Sequence, residues 1–243
     1  MVVVVETIEP RTFYTAVRRV MEGCGMIDPG SLADPTADVR MAMEAVQDAL
    51  NEVWYKHTWE WRRKMWLIEI SQGVMWYDLP ADWEEAGAKI GMRKIAAPLD
   101  FMPWEKLLDA RPYIRSVPVE YGGVAMTTQA STDGDPGTPQ VWTMFGDYLG
   151  IYNPPDEDFM TNYGSDFIAT YFRALIEPYD GTDLLGIPVS LYPAHHGIAL
   201  GLFKQSKQWP DAGMTESRGR SLLMTQVGKA SKRDGKIHQL TEA

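Results

Sequence analysis

The most regular segment of this 243-residue chain is residues 36–57, TADVRMAMEAVQDALNEVWYKH. Its apolar positions alternate spacings of four and three, which places them in a narrow row on one face of a helix. The row consists of Val39, Met43, Val46, Leu50, Val53 and His57. Such a row predicts a long helix starting near Thr36 that packs against another helix. We interpret His57 as a packed, hydrogen-bonded residue rather than a ligand.

Helical patterns recur at both ends of the chain. Residues 11–21 have an apolar face and are followed by Gly23, which predicts a short helix. Two more helices are predicted to begin near Pro193 and Asp211. The predicted buried faces are Phe13, Val17, Val20 and Met21; Ile198, Leu202 and Phe203; and Met214, Leu222 and Val227. Gly213, Gly219 and Gly228 are expected to weaken the last helix by up to ~1 kcal/mol each relative to alanine.

Between these ends the period shortens to that of strands. Residues 65–70 and 74–79 flank Gln72-Gly73 and predict a β-hairpin, and residues 89–96 predict a weaker strand. Pro103 opens a short predicted helix over 104–110. Further predicted strands are 113–119, 141–145, 148–152 and 167–172. The chain is therefore predicted to be α+β: residues 1–63 and 177–243 form a helical bundle, and residues 64–176 form a sandwich-like or barrel-like β-rich domain.

Charge divides the chain unevenly. The formal net charge is -10, yet residues 217–243 contain six basic and two acidic residues, so residues 1–216 carry -14 against +4 at the end. An acidic surface repels nucleic acid, which disfavours a DNA-binding packaging accessory. A basic end on an acidic body indicates docking to an acidic partner, and a solvated, frayed terminus explains the same composition equally well.

The sequence contains no convincing motif for a cofactor or a metal. Residues 181–186 have the glycine spacing of a phosphate-binding loop, but Ile187 stands where its lysine belongs. His195 and His196 are adjacent, so on a helix they diverge by about 100° and cannot share a metal; we assign them capping or solvent-facing roles. We interpret the lone Cys24 as idle, and no apolar stretch reaches the ~18 residues of a membrane span, so a soluble, cytosolically made protein is expected.

One enzymatic alternative remains open. Glu60 lies between Trp59 and Trp61, and Glu84 follows Trp83; apolar contact raises the pKa of a carboxyl group. Either glutamate could then act as the general acid of a cell-wall glycan hydrolase. With 33 acidic residues and nine tryptophans such neighbours also arise by chance. The aromatics crowded into residues 54–77 belong to the core or to contacts between subunits.

Two segments resemble the head-to-tail adaptor proteins, also called connector or head-completion proteins, of short-tailed bacteriophages. The first runs from Asn51-Glu-Val-Trp54 through Trp59-Glu-Trp61 and Gly73 to Trp76-Tyr-Asp-Leu-Pro-Ala-Asp82. The second runs from Gly137-Thr-Pro-Gln-Val-Trp142 through Tyr148-Leu-Gly-Ile-Tyr-Asn-Pro-Pro-Asp156 to Tyr171. The resemblance covers roughly residues 36–175, and Pro154-Pro155-Asp156 departs slightly from the family's P-x-P-D.

The resemblance implies a structural protein of the virion without catalysis, cofactor or metal. It implies a ring, commonly of twelve subunits, between the portal protein and the tail nozzle or tail tube, through which genomic DNA passes without specific binding. The chain would be monomeric in the host cytoplasm and join the head–tail junction during assembly, with no membrane contact. The implied portal-docking tail comprises Lys229, Lys232, Arg233, Lys236, Ile237, His238 and Leu240. The candidate subunit or nozzle contacts are Trp59, Trp61, Asp133, Asp135, Asp156 and Asp158.

Overall fold

The computed structural model of the protein describes residues 11–92, 98–110, 120–121, 124–125 and 137–241. It confirms the α+β class. The helices are α1 (Phe13–Glu22), α2 (Ala37–Tyr55), α3 (Trp104–Ala110), α4 (Glu157–Tyr163), α5 (Tyr192–Ser206) and α6 (Ala212–Thr241), with 3₁₀ turns at Glu60–Arg62 and Val189–Leu191. The strands are β1 (Arg63–Glu69), β2 (Trp76–Asp78), β3 (Trp83–Met92), β4 (Asp100–Phe101), β5 (Glu120–Tyr121), β6 (Val124–Ala125), β7 (Val141–Phe145), β8 (Tyr148–Tyr152) and β9 (Asp166–Arg173).

The chain divides into two compact units. Met1–Trp61 and Leu175–Ala243 form the first, which we call the helical unit, and Arg62–Ala174 form the second, which we call the sheet unit. The chain enters the sheet unit once and leaves it once. All of α1, α2, α5 and α6 belong to the helical unit, so helices distant in sequence share one core.

Helix starts in the helical unit follow from capping side chains. The hydroxyl of Thr12 accepts from the backbone N–H of Thr15 at 3.2 Å, and that of Thr36 accepts from Val39 at 3.4 Å. The predicted row on α2 is buried apart from the half-buried Met43, and Ala42, Ala45 and Ala49 are buried beside it, so the core face is wider than predicted. The prediction that His57 ends this row on the helix is wrong, because α2 ends at Tyr55.

Helices α5 and α6 approach closely because glycines face one another. A Cβ atom placed on Gly197 would lie 2.8 Å from the Cα of Gly219, and one on Gly201 would lie 2.6 Å from the Cα of Glu216. Only the missing side chains permit backbone contact at this distance. The core face of α6 contains Ala212, Gly219 and Leu223. The predicted face was wrong for Met214 and Leu222, which are 60% and 48% exposed.

The sheet unit contains a three-stranded sheet in the order β1-β9-β3 and a four-stranded sheet in the order β2-β8-β7-β4. Strand β9 pairs antiparallel with β1 along seven residues, from Arg63↔Phe172 to Glu69↔Asp166. Strands β7 and β8 form a hairpin whose turn has Gly146 at φ 56°. Both sheets contribute to one apolar cluster of Ile68, Ile90, Leu149, Ile151, Phe159 and Phe167.

The predicted hairpin of residues 65–79 is wrong, although its turn exists with Gly73 at φ 70°. Strand β1 pairs with β9, while β2 pairs with β8 in the other sheet. The turn therefore passes the chain between sheets instead of pairing its two flanks. Strands β7 and β8 and helix α3 have the predicted bounds, and β9 is one residue longer at each end. The predicted strand 113–119 lies outside the described residues.

Candidate partner-binding surfaces

Helix α6 is the most extended element of the helical unit. Its 30 residues correspond to about 45 Å of helix. Near its start it is joined to α2 by two hydrogen bonds from Arg220 to the carboxylate of Glu52, at 2.9 and 3.0 Å. Arg220 also pairs with Glu216 one turn earlier, at 2.8 Å. The first half of α6 is thus held on the unit by the Arg220–Glu52 ion pair and by the close approach to α5 at the glycines.

The predicted docking tail forms the last turns of this helix. Lys229 and Lys232 are exposed, and neither makes an ion pair with a residue that the structure describes. The other predicted tail positions are Arg233, Lys236, Ile237, His238 and Leu240; their backbone is helical, and their side chains lie outside the described ones. A helix presents such residues in fixed rows, so the tail is a rod with a basic side at Lys229 and Lys232.

The two tryptophans predicted to contact a neighbour differ in burial. Trp59 is 4% exposed, and its indole N–H donates to the carbonyl of Val53 at 2.9 Å. Trp61 is half-buried, and its ring meets that of Trp54 edge-on at 4.8 Å. Trp59 is therefore enclosed by its own unit, whereas part of Trp61 stays accessible.

The acidic candidates lie in the sheet unit. The Asp156 carboxylate accepts from the backbone N–H of Phe159 at 2.7 Å and caps α4, while Asp158 is exposed in its first turn. Asp156 therefore caps a helix, and Asp158 lies within its first turn. Asp133 and Asp135 lie outside the described residues.

The candidate general acids do not occupy enclosed apolar sites. Glu60 is exposed despite its flanking tryptophans. Glu84 forms an ion pair with Arg62, whose guanidinium is buried and also donates to the carbonyl of Arg173 at 3.3 and 3.2 Å. The carboxylate of Glu84 is therefore engaged by an arginine of its own unit.

Three further polar side chains of the sheet unit, those of Lys64, Asp82 and Tyr171, bind one another. The hydroxyl of Tyr171 donates to Asp82 at 2.7 Å, and Lys64 forms an ion pair with the same carboxylate. Burial and the bond to Asp82 raise the pKa of Tyr171 to about 12. Tyr171 therefore stays protonated at neutral pH, and the group fastens β1 and β9 to the residues before β3.

His195 is buried, not capping or solvent-facing as predicted. It is 1% exposed, and its Nε2–H donates to the carbonyl of Val46 across the α2–α5 contact at 3.1 Å. Burial lowers its pKa to about 4, so the ring is neutral at pH 7. His196, half-buried beside it, has its pKa lowered by the same cause. Burial raises the pKa of the Cys24 thiol, which agrees with an idle cysteine.

The described residues contain an open groove of about 830 Å³ in the helical unit, lined by Thr12, Tyr14, residues 30–33, Pro35, Arg40, Met43 and residues 179–182. They contain no cluster of three or more histidine, cysteine, aspartate or glutamate side chains able to hold a metal. Across the same part of the chain, no helix combines the length and apolarity needed to cross a membrane.

The sequence interpretation missed two exposed helix faces. One is the outer face of α6, where Met214, Arg218 and Leu222 follow each other at intervals of four residues. The other is the outer face of α2, where Glu44 and Asp48 are exposed. A sequence signal for the core face of α6 did exist, in the row of mostly small residues Ala212, Gly219, Leu223 and Ala230. This row could have located the core face and, opposite it, the outer face.

The exposed charges of α2 and α6 that make no ion pair with a described residue are candidate contacts for another protein. A model of the SU10 adaptor protein family matches residues 11–235. The chain therefore belongs to the SU10 adaptor protein family, and this family implies a structural role as a bacteriophage adaptor, consistent with a position between head and tail. Among curated proteins, none matches the chain.

Proposed function

We propose that this adaptor forms a ring between the portal and the tail nozzle and continues the channel for the genome. The family match over most of the chain carries the proposal. The long α6 supports it, since a rod of about 45 Å can reach a partner beyond the body of its own subunit. The chain would enter the virion at the head–tail junction after synthesis in the host cytoplasm.

The end of α6 docks on the portal in this proposal. Lys229 and Lys232 project from the helix with no acidic partner among the described residues, so they can bind carboxylates of another protein without breaking existing ion pairs. Arg233, Lys236 and His238 extend the basic composition, and Ile237 and Leu240 supply apolar contacts. Because the helix already exists, docking costs little chain entropy.

The acidic body suits a conduit for DNA. Residues 1–216 carry a formal charge of -14, and like charge keeps a passing phosphate backbone from binding the wall. The exposed Asp158, together with Asp156, Asp133 and Asp135, offers negative contacts to the nozzle or to a neighbouring subunit. Trp61 adds an accessible aromatic edge, and Trp59 supports it from beneath.

Light scattering tests this proposal on the protein alone and on its mixture with the cognate portal. We expect a monomer that joins the portal ring stoichiometrically. Lys229→Glu with Lys232→Glu should abolish the complex, whereas Lys56→Glu with Lys106→Glu, an equal change in charge at exposed sites elsewhere, should not.

Absence of any complex with the portal would contradict the proposal. It would direct attention to the hydrolase alternative, for which glycan release by Glu60→Gln and Glu84→Gln would then be compared with that of the unaltered chain. Equal portal binding by the two double variants would show that Lys229 and Lys232 do not contact the portal, while the adaptor role would stand.

A further inference from the structure

The outer face of α6 carries apolar and basic residues and no acidic one. Met214, Arg218 and Leu222, which we call the α6 stripe, are separated by four residues each and are all exposed. Thr225, Lys229 and Lys232 continue the same face at spacings of three and four, so all six fall within about 80° of the helix circumference. Arg218 makes no ion pair with a residue that the structure describes.

The outer face of α2 has the opposite charge. Glu44 and Asp48, which we call the α2 row, lie one turn apart and are exposed. Neither is ion-paired to any described residue, in contrast to Asp38 at the start of α2, which pairs with Lys207. Met41 is half-buried one turn before the row. An acidic row beside a thioether side chain is chemically complementary to an arginine flanked by methionine and leucine.

These two helices already pair by the same chemistry within one subunit. Arg220 binds Glu52 through two guanidinium nitrogens, at 2.9 and 3.0 Å. The exposed Arg218, two residues earlier, lies about 160° away around the helix. Arg220 and Glu52 are thus paired with each other, whereas Arg218, Glu44 and Asp48 make no ion pair with a described residue. Since the two surplus faces differ in sign, neither can pair with its own copy, but each can pair with the other.

We propose that the α6 stripe of one subunit packs on the α2 row of the next. Arg218 lies between Glu44 and Asp48, and Met214 or Leu222, each about 6 Å away along α6, contacts the half-buried Met41. Apolar burial supplies most of the attraction, while the charges fix the orientation. A contact between two different faces is heterologous and closes into a ring under a suitable rotation. The ring closure rests on the proposed function; the contact itself does not.

Cross-linking tests the contact directly in the full chain, at protein concentrations well above those at which the chain alone is expected to be a monomer in light scattering. Cys24→Ser removes the native thiol, after which Asn51→Cys beside the α2 row and Ser221→Cys beside the α6 stripe are combined in one chain, leaving every charge in place. A bis-maleimide should give a ladder of dimer, trimer and higher species. Each single-cysteine chain should stop at the dimer. A double-cysteine chain that also stops at the dimer overturns the heterologous contact, and so does one that stays monomeric without a cross-link between its own two cysteines, which peptide mapping detects.

Charge exchange supplies the second test. Arg218→Glu should reduce ladder yield and self-association in sedimentation by about tenfold or more, because it sets three carboxylates against one another. Adding Asp48→Arg to the same chain should restore both, and Lys106→Glu, an equal charge change in the sheet unit, should change neither. A ladder that ignores Arg218→Glu, or a failure of Asp48→Arg to rescue it, contradicts the proposed contact.

The two proposals fail separately. If the cross-linked ladder forms but no portal complex does, the proposed ring at the portal is wrong and the proposed subunit contact stands. If the Arg218→Glu chain joins portal complexes at the same stoichiometry as the unaltered chain, the proposed subunit contact is wrong and the adaptor role stands.

Discussion

The crossing of α5 and α6 makes a sharp prediction about Gly219. An added Cβ would lie 2.4 Å from the backbone nitrogen of Ile198 and 2.6 Å from the carbonyl carbon of Gly197. Normal contacts between heavy atoms are about 3.5–4.0 Å, so the helices must move apart. Since backbone atoms cannot rotate away, we take the upper part of the overpacking range, ~3 kcal/mol. Alanine recovers ~1 kcal/mol of helix propensity, so Gly219→Ala should destabilise the chain by ~2 kcal/mol.

Gly228 in the same helix is the matched control. No atom lies within 4 Å of the Cβ that alanine would add there, so Gly228→Ala should stabilise by up to ~1 kcal/mol. Urea unfolding followed by helical circular dichroism measures both variants. The expected difference between their free energies of unfolding is ~3 kcal/mol. Stabilisation of both variants by similar amounts would refute the close crossing.

Three further predictions concern the interior and one helix cap. Protonation of His195 is expected only near pH 4, because its pKa is lowered from 6.5 to about 4. Its full contribution to the free energy of unfolding is therefore present above pH 6.5, and up to ~3 kcal/mol is lost as the pH falls from 6.5 through 4. NMR titration of the ring and unfolding at several pH values would check this. Asp156→Ala should cost ~1 kcal/mol through loss of the α4 cap, and Asp156→Asn should cost clearly less, as measured by unfolding. Gly150→Ala should destabilise the sheet unit by roughly 1–3 kcal/mol, since its Cβ would lie 2.7 Å from the ring of Trp76, and unchanged unfolding would contradict that packing.

Elements with strong local signals were predictable. Helix α2 follows from its alternating spacing and the capping Thr36, and α3 follows from Pro103 at its start. The hairpin of β7 and β8 has Gly146 in a two-residue turn, so its partner is the next strand in the chain. In each case the residues that decide the structure are close in sequence, and a local pattern contains the whole reason.

Pairing between distant segments was not predictable. Residues 65–79 have the composition of a hairpin, yet β1 pairs with β9 about a hundred residues later. The register across that distance depends on which apolar faces meet in the shared cluster, and no local signal encodes it. His195 was misjudged for the same reason, because the carbonyl that accepts its hydrogen bond belongs to Val46, 149 residues earlier.

The candidate surfaces show the same division. The basic composition after residue 217 and the family resemblance were both present in the sequence, and the family is confirmed over residues 11–235. The sequence did not show which residues of α6 face outward. Met214 and Leu222 are apolar and satisfy a helical period, so the period alone places them in a core.

The sequence by itself determined the α+β class, most helix positions, the uneven charge and the adaptor family, because these depend on composition and on neighbours within a few turns. Only the tertiary structure decided that Gly219 lies in the contact with α5, and that Arg218, Glu44 and Asp48 make no ion pair with a described residue. The physical reason is that a side chain is buried or exposed according to what packs against it, and for α6 that partner is the glycine face of α5.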